Sequence, residues 1–101
     1  MASIDIKTDK VELNKATKRY VTRTISALQK YLPRAERDEV KATVLMSRVD
    51  REHGNKYEAT VVLTIHGKTY EASDSTLNVL AALDIVRAKL TPELKKLAKN
   101  R

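Results

Sequence analysis

From Thr76 to Arg101 the chain reads TLNVLAALDIVRAKLTPELKKLAKNR, and no other stretch limits the fold as much. Val79, Leu83, Val86, Leu90, Leu94 and Leu97 recur at steps of three and four, so a helix would carry them on one face. A helix with one apolar face must be covered by another layer. Ser75 or Asp74 is placed to cap its first turn. Lys95, Lys96, Lys99 and Arg101 suit the negative end of its dipole. Thr91–Pro92 interrupts the pattern, and a kink or restart is expected there, with Thr91 as a second cap. Arg87 falls within the apolar stripe and is expected to reach solvent or to pair with Asp84.

The covering layer can be read from the rest of the chain. Ser3 to Thr8 alternates Ile4 and Ile6 with polar residues, a short strand with one buried face. Asp9 and Lys10 turn the chain. Asn14 caps a first helix that runs to about Leu32, where Pro33 ends it. With successive residues about 100° apart, Tyr20, Val21, Thr24, Ile25, Leu28, Tyr31 and Leu32 share one half of that helix. Lys15, Lys18, Arg19, Arg23 and Lys30 share the other half, with no acid among them. Val40 to Met46 alternates as a second strand. Ser47 to Lys56 reads as a polar loop with Gly54–Asn55 at its tip. Tyr57 to Ile65 and Thr69 to Ser73 form two more strands, joined by a tight turn at His66–Gly67–Lys68. The expected fold is α+β: β-α-β-β-β-α, a four-stranded sheet with two helices packed on one face. A chain of 101 residues without repeats or linkers reads as one domain spanning 1–101.

The chain has a net charge of +7, and the excess is segregated. Residues 1–37 carry +5, residues 38–74 carry −2 and residues 75–101 carry +4. The helices hold the bases, and the strand-rich middle is slightly acidic. Like charges four apart, Lys15 with Arg19 and Arg19 with Arg23, repel by a few tenths of a kcal/mol each. A helix that keeps such a stripe is suited to a polyanion, RNA above all. Three of the four tyrosines, Tyr20, Tyr31 and Tyr70, fall on core faces, so base stacking on exposed rings is disfavoured. Binding would run through phosphates and follow RNA shape.

Enzymatic and metal chemistry find no foothold. His53 and His66 sit in turns without a carboxylate cluster or a second histidine at ligand spacing, and read as solvated turn residues. The serines lack a His–Asp set, and neither Gly54 nor Gly67 belongs to a phosphate loop. The chain lacks cysteine, which excludes disulfides and thiolate metal sites. No cofactor, metal, membrane or small-molecule substrate is implied. No apolar run approaches the roughly 20 residues that span a bilayer.

Several stretches resemble the short ribosome hibernation-promoting factors, also called ribosome-associated translation inhibitors. They are Val11-Glu12-Leu13-Asn14 with Ala16 and Lys18; Lys30-Tyr31-Leu32; Tyr70-x-Ala72-Ser73; and Asn78-x-x-Ala81-Ala82-Leu83-Asp84 followed by Lys89-Leu90 and Leu94. Asn78 stands where the family usually has Asp, and Leu80 where it has Tyr, so the resemblance is to a divergent member. It implies a fold close to a double-stranded-RNA-binding domain with an extra first strand. It also implies binding to the small ribosomal subunit and its rRNA at the mRNA and tRNA channel, with translation inhibited by occupancy in the starved cytoplasm, and a monomer when free. The expected RNA contacts are Lys15, Lys18, Arg19, Arg23 and Lys30 on the first helix and Arg87, Lys89, Lys95, Lys96 and Lys99 on the last, as two rails. Lys18, Lys89 and Lys96 match the family's basic positions best. Two other readings stay open: a general double-stranded-RNA-binding module without a dedicated ribosome site, and a domain whose basic helices contact an acidic protein.

Overall fold

A computed structural model describes the backbone of residues 3–51 and 54–99 and the side chains of residues 3–49 and 56–97. The alternating segments become four strands: β1 (Ser3–Asp9), β2 (Lys41–Arg51), β3 (Gly54–Ile65) and β4 (Lys68–Thr76). They lie side by side in the order β1-β2-β3-β4. β1 runs parallel to β2, with Ile4 opposite Ala42 and Ile6 opposite Val44. The other two pairings are antiparallel. The parallel pair needs a crossover, and α1 (Lys15–Gln29) supplies it.

Every second strand residue faces the helices. Ala42, Val44 and Met46 of β2 and Ala59, Val61, Leu63 and Ile65 of β3 are buried there. They meet Val21, Ile25 and Leu28 of α1 and Ala82, Leu83, Val86, Leu90 and Leu94 of α3 (Val79–Lys99) in one cluster. Full burial of a side chain of this size contributes about 1.5–3 kcal/mol. The opposite face, through Thr43, Leu45, Thr60 and Val62, has no layer over it, which is the usual condition of an antiparallel sheet packed on one side. The order of strands and main helices and the two-layer α+β architecture are those expected from the sequence.

Five local readings are corrected. Ser47 to Lys56 is not a loop. β2 and β3 stay paired from Ser47–Glu58 out to Arg51–Gly54, and from Val49–Lys56 outward they form a two-stranded ribbon past the partners of β1 and β4. Its sequence carries no apolar alternation to betray it. His53 lies outside the described residues. Secondly, β4 continues to Thr76, paired with Tyr57, so Asp74 and Ser75 are strand residues. Asn78 caps α3 instead, its Oδ1 accepting from the N–H groups of Leu80 at 2.8 Å and Ala81 at 3.4 Å. Thirdly, α3 does not restart at Pro92. Leu90 and Leu94, both buried, hold the turns on either side against the sheet. Thr91 Oγ1 donates to the Arg87 carbonyl at 2.8 Å. Fourthly, α1 ends at Gln29, two turn hydrogen bonds carry the chain to Leu32, and a one-turn helix, α2 (Arg34–Arg37), follows Pro33. Asn14 does cap α1, accepting from the Thr17 N–H at 2.8 Å.

The fifth correction concerns His66. With Gly67 it forms the β3–β4 turn, at φ 51° and 78°. Positive φ at both central residues is the hairpin turn that matches strand twist. The ring is not isolated from carboxylates. Nε2 lies 3.1 Å from Glu36 Oε1 and Nδ1 lies 3.1 Å from Glu39 Oε2, which ties the turn to the α2 segment. The two carboxylates approach opposite ring nitrogens, so they do not converge on one metal position.

Candidate nucleic-acid interface

The two long helices lie side by side on the sheet, and two contacts fix how they meet. The Tyr20 hydroxyl of α1 donates to Asp84 Oδ1 of α3. Lys95 of α3 sits over the Tyr31 ring, 5.4 Å from its centroid. Tyr20 and Tyr31 are eleven residues apart, as are Asp84 and Lys95. Equal spacing in the same sense means that the helices run parallel, in contact over about three turns. The hydrogen bond to Asp84 holds the Tyr20 hydroxyl above its ordinary pKa of 10.0. Partial burial and the carboxylate's charge act the same way, and Arg87 opposes them. Asp84 is thus held across the helix pair, where the sequence suggested Arg87 as its partner or a plain surface position.

This geometry sorts the expected contact residues. Lys15, Lys18, Arg19, Arg23, Lys30, Arg87, Lys89, Lys95 and Lys96 are all exposed. Lys99 lies outside the described side chains. On α1, Arg23 and Lys30 lie about 60° and 80° round from Tyr20 and Arg19 about 100°, on the outward crest, whereas Lys15 and Lys18 project about 140° and 160° round. On α3, Arg87 and Lys95 share the flank of Asp84, and Lys89 and Lys96 lie on the far flank beside β4. Arg23, Lys30, Arg87 and Lys95 therefore stand nearest one seam, with Arg19 on the crest of α1 beside it. A shallow groove of about 390 Å³ runs along it between Tyr31 and the Asp84–Thr91 stretch. Lys18, Lys89 and Lys96, the best matches to the family pattern, point to the two outer flanks.

Lys89 has internal work as well. Its Nζ donates to the Ser73 carbonyl at 2.9 Å and pairs with Asp74 Oδ1 at 3.3 Å. It fastens α3 to β4. Arg37 is similarly engaged, with Nε donating to the Leu32 carbonyl at 3.1 Å and closing the turn after α1. Sequence reasoning missed the Tyr20–Asp84 and Tyr31–Lys95 contacts. Their one trace in the sequence is the shared spacing of eleven.

Fold and surface together define a class: an open-faced α+β domain whose helical layer is cationic and whose sheet is bare on the other side. Among solved structures it is similar to the Thermus thermophilus Protein Y N-terminal domain, with a TM-score of 0.76, 20% identity and coverage of 94% of this chain and 98% of that one. It is also similar to a ribosomal subunit interface protein from Coxiella burnetii, with a TM-score of 0.74, 19% identity and 100% of both chains covered. No curated protein sequence matches the chain. The family model described as sigma 54 modulation protein / S30EA ribosomal protein matches residues 4–101, and the chain belongs to that family.

Proposed function

We propose that this chain is a ribosome hibernation factor that binds rRNA of the small ribosomal subunit at the mRNA/tRNA channel and inhibits translation by occupying it. The observation that carries the reading is the parallel helix pair. Arg23, Lys30, Arg87 and Lys95 stand along its seam, with Arg19 on the crest beside it, in a chain whose family is ribosome-associated. Cations ranged along a rigid two-helix ridge suit successive phosphates, each contact releasing condensed counterions. The whole of residues 1–101 acts as the binding unit, monomeric when free and working in the cytoplasm by occupancy, without catalysis. Membranes are no part of the proposal, and none of the described helices is long and apolar enough to cross one.

Competition tests it. Messenger and transfer RNA added to isolated small subunits should displace the protein. If the protein is held equally by any A-form duplex and is indifferent to messenger and transfer RNA, it is a general double-stranded-RNA-binding module instead.

A further inference from the structure

One groove belongs to neither helix seam nor bare sheet face. It encloses about 450 Å³ between β4 and α3, on the side of α3 away from α1. β4 is an edge strand, so one side of its backbone has no neighbour. The turn at His66–Gly67 fixes which residues face that side. A two-residue hairpin loop makes Ile65 and Lys68 the closing hydrogen-bonded pair, and the pairs then alternate. Tyr70 and Ala72 bond to β3, while Thr69, Glu71 and Ser73 turn their N–H and C=O groups outward. The Ser73 carbonyl bears this out, because Lys89 Nζ reaches it from α3. No hydrogen bond among the described residues engages the outward groups of Thr69 and Glu71. Both residues are exposed.

We propose that this edge accepts an extended, basic polypeptide segment of a partner protein as a fifth strand. An extended chain supplies alternating N–H and C=O groups at the spacing that Thr69 and Glu71 present. Its inward side chains would lie in the groove over Tyr70, Ala72 and Leu90. Charge selects the segment. Glu71 points to the bare face of the sheet beside the open edge, Glu93 of α3 stands at the groove, both are exposed, and Lys89 is already paired with Asp74. Lys68 lies beside the turn, at the far end from Lys89. A strand that sets alternate apolar side chains in the groove turns the others to the bare face, where lysine or arginine opposite Glu71 completes the site. Lys89 on the Ser73 carbonyl closes one end, so the added strand covers Thr69 to Glu71 and stops there. Outward backbone groups flanked by Glu71 suit a polypeptide strand better than a phosphate backbone. A second copy is disfavoured: symmetric antiparallel pairing of two open edges about Tyr70 sets Thr69 against Glu71 and brings no base to either glutamate.

This surface is separate from the helix seam, so its test stands apart from ribosome binding. The probe is a labelled alternating Lys-Val hexapeptide, with a Glu-Val hexapeptide as control, titrated into the full chain and read by amide NMR and hydrogen exchange. Expected are shifts at Thr69 to Ser73, slowed exchange of the Thr69 and Glu71 amides, and no binding of the acidic control. Glu71→Lys should weaken the basic peptide about tenfold or more. Glu71→Pro removes the outward N–H at a position where an edge strand tolerates proline, and should abolish the protection. Any one of three results overturns the proposal: shifts confined to the helices, unchanged affinity in both variants with the sheet intact, or concentration-dependent protection of these amides without peptide, which would make the occupant a second copy.

Discussion

A lysine on a helix can be a ligand contact or a strut, and Lys89 shows how geometry decides. Its side chain is half exposed, yet its ammonium group is aimed at the Ser73 carbonyl and Asp74. Lys89→Ala should lower stability by about 0.5–1 kcal/mol in chemical denaturation, the range of one hydrogen bond with a half-exposed ion pair. It should leave the salt dependence of RNA binding almost unchanged. Arg23→Ala should do the reverse: near-unchanged stability, with the slope of log K against log salt smaller by about 1. Tyr20 gives a pH signature. Its pKa is raised in the fold, so above its ordinary value the unfolded chain loses the proton first and stability falls as pH rises. The stabilisation is fully present below pH 10.0 and is lost as pH climbs through the folded value. Denaturation of Tyr20→Phe should accordingly show a flatter decline above that pH than wild type.

At the scale of elements, α1 carries a conflict between stability and binding. Its outer half repeats cations four apart, which costs the free helix a few tenths of a kcal/mol per pair. Arg19→Glu turns two of those repulsions, with Lys15 and Arg23, into attractions. Thermal unfolding should show a gain of up to about 1 kcal/mol, while RNA binding weakens. Stability that rises as binding falls marks a stripe kept for its ligand. A loss of both would mean that Arg19 supports the fold. The elements also show what the residues disclosed. β1, α1 and β2 were legible because each buries a periodic face. The β2–β3 ribbon was not, since its polar pattern matches that of a loop. The start of α3 was misread because Asp74, Ser75 and Asn78 can all cap. The pairing of Thr76 with Tyr57, a long-range contact, settles which one does. Pro92 was read as a break because local chemistry says so, and the burial of Leu90 and Leu94 overrides it.

For the whole molecule, the exposure of the cations was legible and their grouping was not. Which bases share a seam depends on which flank of α1 meets α3, and that is set by Tyr20 with Asp84 and Tyr31 with Lys95, pairs 64 residues apart in sequence. The fold is shared with solved structures at about 20% identity, so the architecture tolerates wide replacement while its pattern of buried faces persists. The shortest dimension of the molecule is 20 Å, more than twice the Debye length of about 8 Å at physiological salt, so opposite faces act electrostatically on their own. The helical surface can hold a polyanion while the β4 edge engages something else.

Co-sedimentation with purified small ribosomal subunits tests the central claim most directly, with wild type beside Arg19→Glu/Arg23→Glu/Arg87→Glu and Lys18→Glu/Lys96→Glu. The expected result is saturable, near-stoichiometric binding by wild type that falls with salt, is lost in the seam triple variant and is largely kept in the outer-flank pair. Wild-type protein that is folded and yet stays in the supernatant at physiological salt would contradict ribosome binding. Binding kept by the seam variant and lost in the outer-flank pair would contradict the seam as its site.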